Sequence, residues 1–335
     1  MAKQYGRWRN VGSLGEGGQA HVYLVEDSSG KDAGPFVLKR LRREGRLALF
    51  QQEIETTRSI EHPNIIRIVD FDLNAEKPYF VAEYCERGSL ADIGAETFQG
   101  DVKAAARLLL PIVDALEAAH RTGVFHRDVK PPNILVRRNG EPVLADFGIC
   151  HVESGAKVTL AINEPAGSLN YIAPEMESGR RLGPPCAETD GYSLAKVLYW
   201  MLSGGNIFAR EDHRARSLVE TLSEQRFEHV HSLLDLLMVE DPKKRISFTK
   251  LPGLMKKMEV LVNGNFAPLK PSIGIECRFC GLGRYQRIAG GNAGSISKIG
   301  IAQMAGRDTR ALRCDHCGHL ELFDFLDMKD NWWEN

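Results

Sequence analysis

Two groups of residues in this chain have types and spacings that could do chemistry. The first is spread over Gly15-Glu-Gly17-Gly18-Gln-Ala20-His-Val22, Phe36-Val-Leu-Lys39, His126-Arg127-Asp128-Val-Lys130-Pro-Pro-Asn133 and Asp146-Phe147-Gly148. Glycines let backbone N–H groups approach phosphate oxygens closely, and a β-branched residue after them, Val22, can cap a base. Glycine-rich hairpins are also ordinary turns, so this segment by itself carries little weight. Lys39 lies in an apolar run, where it either meets an acid inside the fold or sits on an edge and extends its amine to water. Asp and Asn side chains are hard oxygen donors of the kind magnesium takes.

The second group is Cys277-Arg-Phe-Cys280-Gly and Cys314-Asp-His-Cys317-Gly. Two thiolates in C-x-x-C spacing sit on one tight turn, and two such turns complete a tetrahedral sulfur site for zinc. The 33 residues between the pairs exceed the common spacing. His316 and His319 are alternative ligands, although four cysteines already fill such a site. No βαβ pattern surrounds the pairs, which argues against a thioredoxin-like redox role. The chain has seven cysteines, and an odd count with three of them scattered speaks against a disulfide framework.

In order and spacing, the motif around Asp128, Asp146-Phe147-Gly148 and Ala173-Pro174-Glu175 resemble the protein kinase family, specifically the eukaryotic-type serine/threonine kinases found in bacteria. The resemblance covers roughly residues 8–262. It implies an α+β, bilobal fold, with a β-rich N-lobe over about 8–84 and a helical C-lobe over about 85–262. It also implies transfer of the γ-phosphate of ATP, with Mg2+, to serine or threonine hydroxyls of protein substrates, including the chain itself. By resemblance, Lys39 holds the α- and β-phosphates and pairs with Glu53. Asn133 and Asp146 bind magnesium, Asp128 orients the substrate hydroxyl and accepts its proton, and Lys130 steadies the γ-phosphate. Gly15, Gly17, Gly18 and Ala20 cover the phosphates, while Val22, Val37, Ala82, Glu83, Cys85 and Leu135 surround the adenine. Asp190 anchors the catalytic loop, Glu175 and Arg245 form a structural ion pair, and His126 and Phe147 pack. Lys130 and Gly167-Ser168 match serine/threonine rather than tyrosine kinases. A catalytically silent nucleotide-binding scaffold is the alternative, and the complete set Lys39, Glu53, Asp128, Asn133 and Asp146 stands against it.

Departures from the family pattern are informative. Ala20 replaces the third glycine, and Val37 stands where alanine usually lies above the adenine. Ala82 holds the gatekeeper position before the hinge, where a bulkier side chain is usual; a pocket opens behind it unless a neighbour fills the gap. Arg127 is of the type that waits for a phosphorylated residue in the activation segment. Many relatives carry threonine where this chain has Glu164, whose single carboxylate could pair with Arg127 permanently and replace a phosphate in part. Autophosphorylation of Thr159 or Ser154 is the rival, and a solvated loop glutamate the plainer alternative.

Positioning these residues takes short strands first and helices after. His21–Val25, Phe36–Leu41, Ile65–Asp70 and Tyr79–Glu83 read as strands, and Arg46–Ile60 as a helix closed by His62-Pro63. Helices are expected over Val102–Thr122, Asp190–Leu202, Val230–Val239 and Ser247–Val262. Ile134–Arg138 and Pro142–Ala145 flank Asn139-Gly140, which suits a two-residue type I′ hairpin. Residues 263–272 have linker composition, and 273–335 form a zinc-ribbon-like module held together by Zn2+. Between Arg278 and Arg313 seven basic residues accompany a single acid, Asp308, and the tail beyond is acidic. These charges either neutralise each other or let the module bind nucleic acid or an acidic protein, in which case it could act as a sensor controlling the kinase. The 335 residues carry a net charge of −1, 43% apolar and 26% charged residues, the profile of a soluble globular protein. No apolar run approaches the roughly 20 residues needed to span a bilayer. The N-terminus lacks a signal-peptide pattern, so no membrane association and a cytoplasmic location are expected.

Overall fold

The computed structural model describes residues 4–16, 20–147, 151–152, 170–177, 184–208, 213, 222 and 227–263, with the backbone of 285–287, 309–314 and 320–324. Strands β1 (Gln4–Tyr5), β2 (Trp8–Glu16), β3 (Ala20–Asp27), β4 (Pro35–Leu41), β5 (Ile68–Asp72) and β6 (Tyr79–Glu83) form one antiparallel sheet in the order β1-β2-β3-β4-β6-β5. Side chains alternate across a strand, and β4 uses both faces. Phe36 and Leu38 join Tyr5, Trp8, Val25, Tyr79 and Val81 in one cluster. Leu41 joins Phe50, Ile54, Phe80, Ala82 and Val143 in another. Helix α1 (Leu47–Ser59) supplies Phe50 and Ile54 to the second cluster, and extended Ile60 ends it just before His62-Pro63. A lysine at position 39 therefore projects toward α1 rather than to an edge.

The larger core belongs to the helical half. After the single turn α2 (Leu90–Ile93), helix α3 (Val102–Arg121) begins with Asp101 accepting from the Ala104 N–H and buries Ala105, Leu109, Ile112 and Leu116. Helix α4 (Ala187–Leu202) is buried nearly all round, as its apolar sequence requires. Helices α5 (Glu228–Leu237) and α6 (Leu251–Asn263) complete the cluster around them. The helix expected over Ser247–Val262 is divided. A 3-10 turn at Phe248–Lys250 precedes α6, and Pro252 takes a first-turn position where its missing N–H costs nothing.

Short strands flank the loop around Asp128 between the helices: β7 (Val124–Phe125), β8 (Ile134–Val136), β9 (Pro142–Leu144) and β10 (His151–Val152). The β8–β9 connection is not the expected two-residue type I′ turn. That turn needs positive φ at both central residues, and only Gly140 has it, at 88°. Gly140 N–H donates to Arg137 O at 2.9 Å and Arg137 N–H donates to Glu141 O at 3.0 Å. The result is a three-residue loop with glycine in the left-handed position. Beyond the expected linker, β11 (Tyr285–Arg287), β12 (Thr309–Cys314) and β13 (Leu320–Asp324) make a three-stranded antiparallel sheet with Tyr285 opposite Cys314 and Arg313 opposite Leu320.

Candidate active site

Three elements bring one amine to two carboxylates. Lys39 on β4 donates from Nζ to Glu53 Oε1 of α1 at 2.6 Å and to Asp146 Oδ1 at 3.3 Å. Glu53 is buried, whereas the Asp146 side chain remains 45% exposed. Burial works against charge on Lys39, but Asp146 and Glu53 outweigh it and hold the amine cationic. Lys39 in turn keeps the Asp146 carboxyl below its ordinary value. Burial pushes the Glu53 carboxyl up, Lys39 opposes this, and Asp146 adds to the rise, which leaves it at about 7. Protonating Glu53 removes the charge that holds Lys39 in place. The expected result is that kcat/KM for ATP falls as pH drops through about 7, and that Glu53→Gln abolishes this limb at the cost of a lower plateau. A pH–rate profile of both proteins checks it.

The loop after β7 is built around Asp190. Its Oδ1 accepts from the Arg127 N–H at 2.7 Å, and its Oδ2 accepts from the His126 N–H at 2.9 Å and meets His120 Nε2 at 2.7 Å. Burial alone would raise the Asp190 carboxyl, but these partners, His120 first, hold it low and ionised. The anchored backbone lets Arg127 keep φ at 68°, a conformation costly for a residue with a side chain. Asp146 shares it, with φ 67°. His126 donates from Nε2 to Ala145 O at 3.0 Å and meets the buried Phe147 ring edge-on at 4.7 Å, so the two loops are packed together.

Asp128 stands between Lys130 and Asn133. Its Oδ2 lies 2.8 Å from Lys130 Nζ and accepts from Asn133 Nδ2 at 2.9 Å. Burial raises the Asp128 carboxyl and Lys130 opposes the rise. Asn133 Nδ2 also donates to Asp128 O at 2.8 Å, so its Oδ1 is the amide atom left to accept or to ligate. An ionised Asp146 carboxylate and an amide oxygen make a hard donor pair suited to magnesium.

Around this centre, Gly15 has φ 152° at a register shift in the β2–β3 pairing, and a Cβ there would meet nothing within 4 Å. Val22 is in register with Lys39 and Val37 with Ala82. Ala20, Ala82 and Cys85 are buried and Leu135 half-buried. The Glu83 side chain is engaged elsewhere: Arg137 donates to it from Nε at 2.8 Å and from Nη2 at 3.0 Å. Any contact of Glu83 with a base thus falls to its backbone. Gly17, Gly18, Ser154, Thr159, Glu164, Cys277, Cys280 and Cys317 lie outside the described residues, and of Cys314 only the backbone is described. Sequence reasoning missed His120 and Arg137. His120 sits among apolar positions of α3 with nothing local to mark its meeting with Asp190, seventy residues on. Arg137 reads as a hairpin charge.

Residues 8–253 match the model of the protein kinase domain. The chain is 32% identical to CBL-interacting protein kinase 21 of Oryza sativa subsp. japonica, over 61% of this chain and 39% of that protein. It is also 32% identical to NUAK family SNF1-like kinase 2 of Rattus norvegicus, over 65% of this chain and 34% of that protein. With serine/threonine-protein kinase PrkC of Bacillus subtilis (strain 168) it shares 32% identity, over 59% of this chain and 31% of that protein. This chain belongs to the protein kinase family. The matched segment spans between 31% and 39% of the length of these relatives.

Proposed function

We propose that the protein transfers the γ-phosphate of ATP to serine or threonine hydroxyls of proteins. The observation that carries this is the junction of Lys39 with Glu53 and Asp146, set beside an Asp128 that Lys130 and Asn133 hold in place. Lys39 is fixed where it can bind the α- and β-phosphates. Asp146 and Asn133 would hold magnesium, which neutralises phosphate charge. Asp128 turns the attacking hydroxyl toward the γ-phosphorus and accepts its proton at a carboxylate oxygen. Lys130 stays on the transferring group and offsets its charge. The similarity to serine/threonine-protein kinase PrkC supports the choice of hydroxyl. The test is phosphate transfer from labelled ATP with magnesium to itself and to a basic protein, compared with Asp128→Asn. Label on serine or threonine that vanishes in the variant supports the proposal, and equal transfer by both sinks it.

Ala82 gives the adenine site its character in this reading. It offers one methyl on the face of β6 that it shares with Phe80, which is itself 5.2 Å from Phe50 by ring centroids. ATP-competitive inhibitors with a bulky aromatic group are expected to bind, and Ala82→Met to weaken them by about tenfold or more through overpacking. Equal inhibition constants for the two proteins would show that Phe80 and its neighbours already close the pocket.

The C-terminal segment is proposed to be a zinc ribbon. Supporting this, Tyr285 pairs with Cys314 across β11 and β12. In the sequence, Cys277 and Cys280 precede β11, Cys314 is the last residue of β12 and Cys317 follows it before β13. Elemental analysis is expected to find one zinc per chain, lost in Cys277→Ser; a zinc-free chain with its segment still protease-resistant would overturn this. The basic stretch between the pairs is then the surface offered to nucleic acid or an acidic protein. In the activation segment, Glu164 is proposed as a partial stand-in for a phosphate on Arg127.

A further inference from the structure

On the outer face of the N-terminal sheet, away from Lys39, lies a second cationic site. Arg40 follows Lys39 on β4 and points the opposite way, where it is 7% exposed. Its guanidinium lies 5.2 Å from the Tyr23 ring centroid, and Nη1 donates to the Tyr5 hydroxyl at 2.8 Å. That is its one hydrogen bond among the described residues; Nε is buried without a partner, and no carboxylate pairs with it there. A buried cation with so little compensation is costly unless something else satisfies it.

Arg40 forms part of the wall of a cavity of about 100 Å³. Arg42 and Lys77, both exposed, stand at the same cavity with His21, and Glu76 is the one acid there among the described residues. Three permanent cations against one carboxylate leave a net of two positive charges, which matches a phosphate dianion of about −1.5 to −2. The cavity has room for one tetrahedral oxyanion group. Planar guanidinium N–H groups suit such oxygens.

We propose that Arg40, Arg42 and Lys77 form a binding site for a phosphate group, separate from the nucleotide cleft. The group is either inorganic phosphate or a phosphorylated serine or threonine of a protein chain. The test is calorimetric titration of the full chain with inorganic phosphate, and with a phosphoserine peptide against its unphosphorylated form. A non-hydrolysable ATP analogue and magnesium saturate the cleft throughout. Saturable binding is expected, weakened about tenfold or more in Arg42→Ala/Lys77→Ala. Those side chains are exposed, so the fold is kept. Arg40→Lys, which retains charge but loses the planar fork, is expected to weaken it as well. Tighter binding of the phosphopeptide identifies a protein-borne group, and preference for inorganic phosphate identifies the ion; either supports the site. Absence of saturable binding at millimolar phosphate, or affinities indifferent to all three substitutions, overturns it.

Discussion

Asp128→Asn is expected to lower the rate of phosphate transfer by about 10²- to 10⁴-fold, the usual contribution of a positioned general base. Nucleotide affinity should fall far less than the rate, because Lys39 and Asp146 touch each other and not Asp128, whose carboxylate bonds to Lys130 and Asn133. The substitution preserves shape but removes the acceptor for the hydroxyl proton. It also disturbs the local bonds, since the present carboxylate accepts from both Lys130 and Asn133 through Oδ2. An amide nitrogen turned to that side would face two donors, so the new side chain must present its oxygen there and its NH2 to the substrate hydroxyl. Single-turnover rates with saturating ATP, beside a nucleotide-binding titration, separate lost chemistry from lost binding. Lost binding with preserved chemistry would reassign Asp128 to the nucleotide.

The second large effect is on stability. Arg245 donates from Nη1 and Nη2 to the two oxygens of Glu175, each at 2.6 Å, with both side chains fully buried. Its remaining N–H groups reach the carbonyls of Val239, Glu188 and Glu240, and Thr189 Oγ1 donates to Glu175 Oε1. Arg245→Ala would strand the Glu175 carboxylate in the core with one hydroxyl as partner. Breaking a buried pair from one side costs about 3–5 kcal/mol, whereas replacing both partners with apolar residues is often close to neutral. At about 2–4 °C per kcal/mol for a domain of this size, Arg245→Ala should lower the melting temperature by roughly 10 °C. Glu175→Leu/Arg245→Met should recover much of the loss. Thermal melts of the two variants check this, and a double variant as unstable as the single would show that the carbonyls left behind, not the stranded acid, set the cost.

What was legible in the sequence divides by the range of the forces involved. Strands β3, β4 and β6 and helix α1 follow from apolar alternation and the His62-Pro63 stop, because those signals act within a few residues. The meeting of Lys39, Glu53 and Asp146 was legible only through resemblance, since no periodicity relates residues 107 apart. Asn139-Gly140 marked the hairpin correctly but not its loop length, which the Arg137–Glu141 pairing decides. Arg137 also clamps Glu83, and that tie across 54 residues has no local signature. The positive φ of Arg127 and Asp146 was invisible for the same reason: Asp190 and the neighbouring loops impose it from outside.

Cys85 shows what the same packing means for reactivity. Its thiol is buried in the cluster beside Ala82, and burial, assisted by the Glu83 charge, pushes it up to about 12. Only the thiolate attacks electrophiles, so at neutral pH about one molecule in 10⁵ is in the reactive form. A sulfur beside the adenine site would look like an anchor for covalent inhibitors or a sensor for peroxide. Here it behaves as a small hydrophobe, and alkylating or oxidising conditions should pass the hinge by.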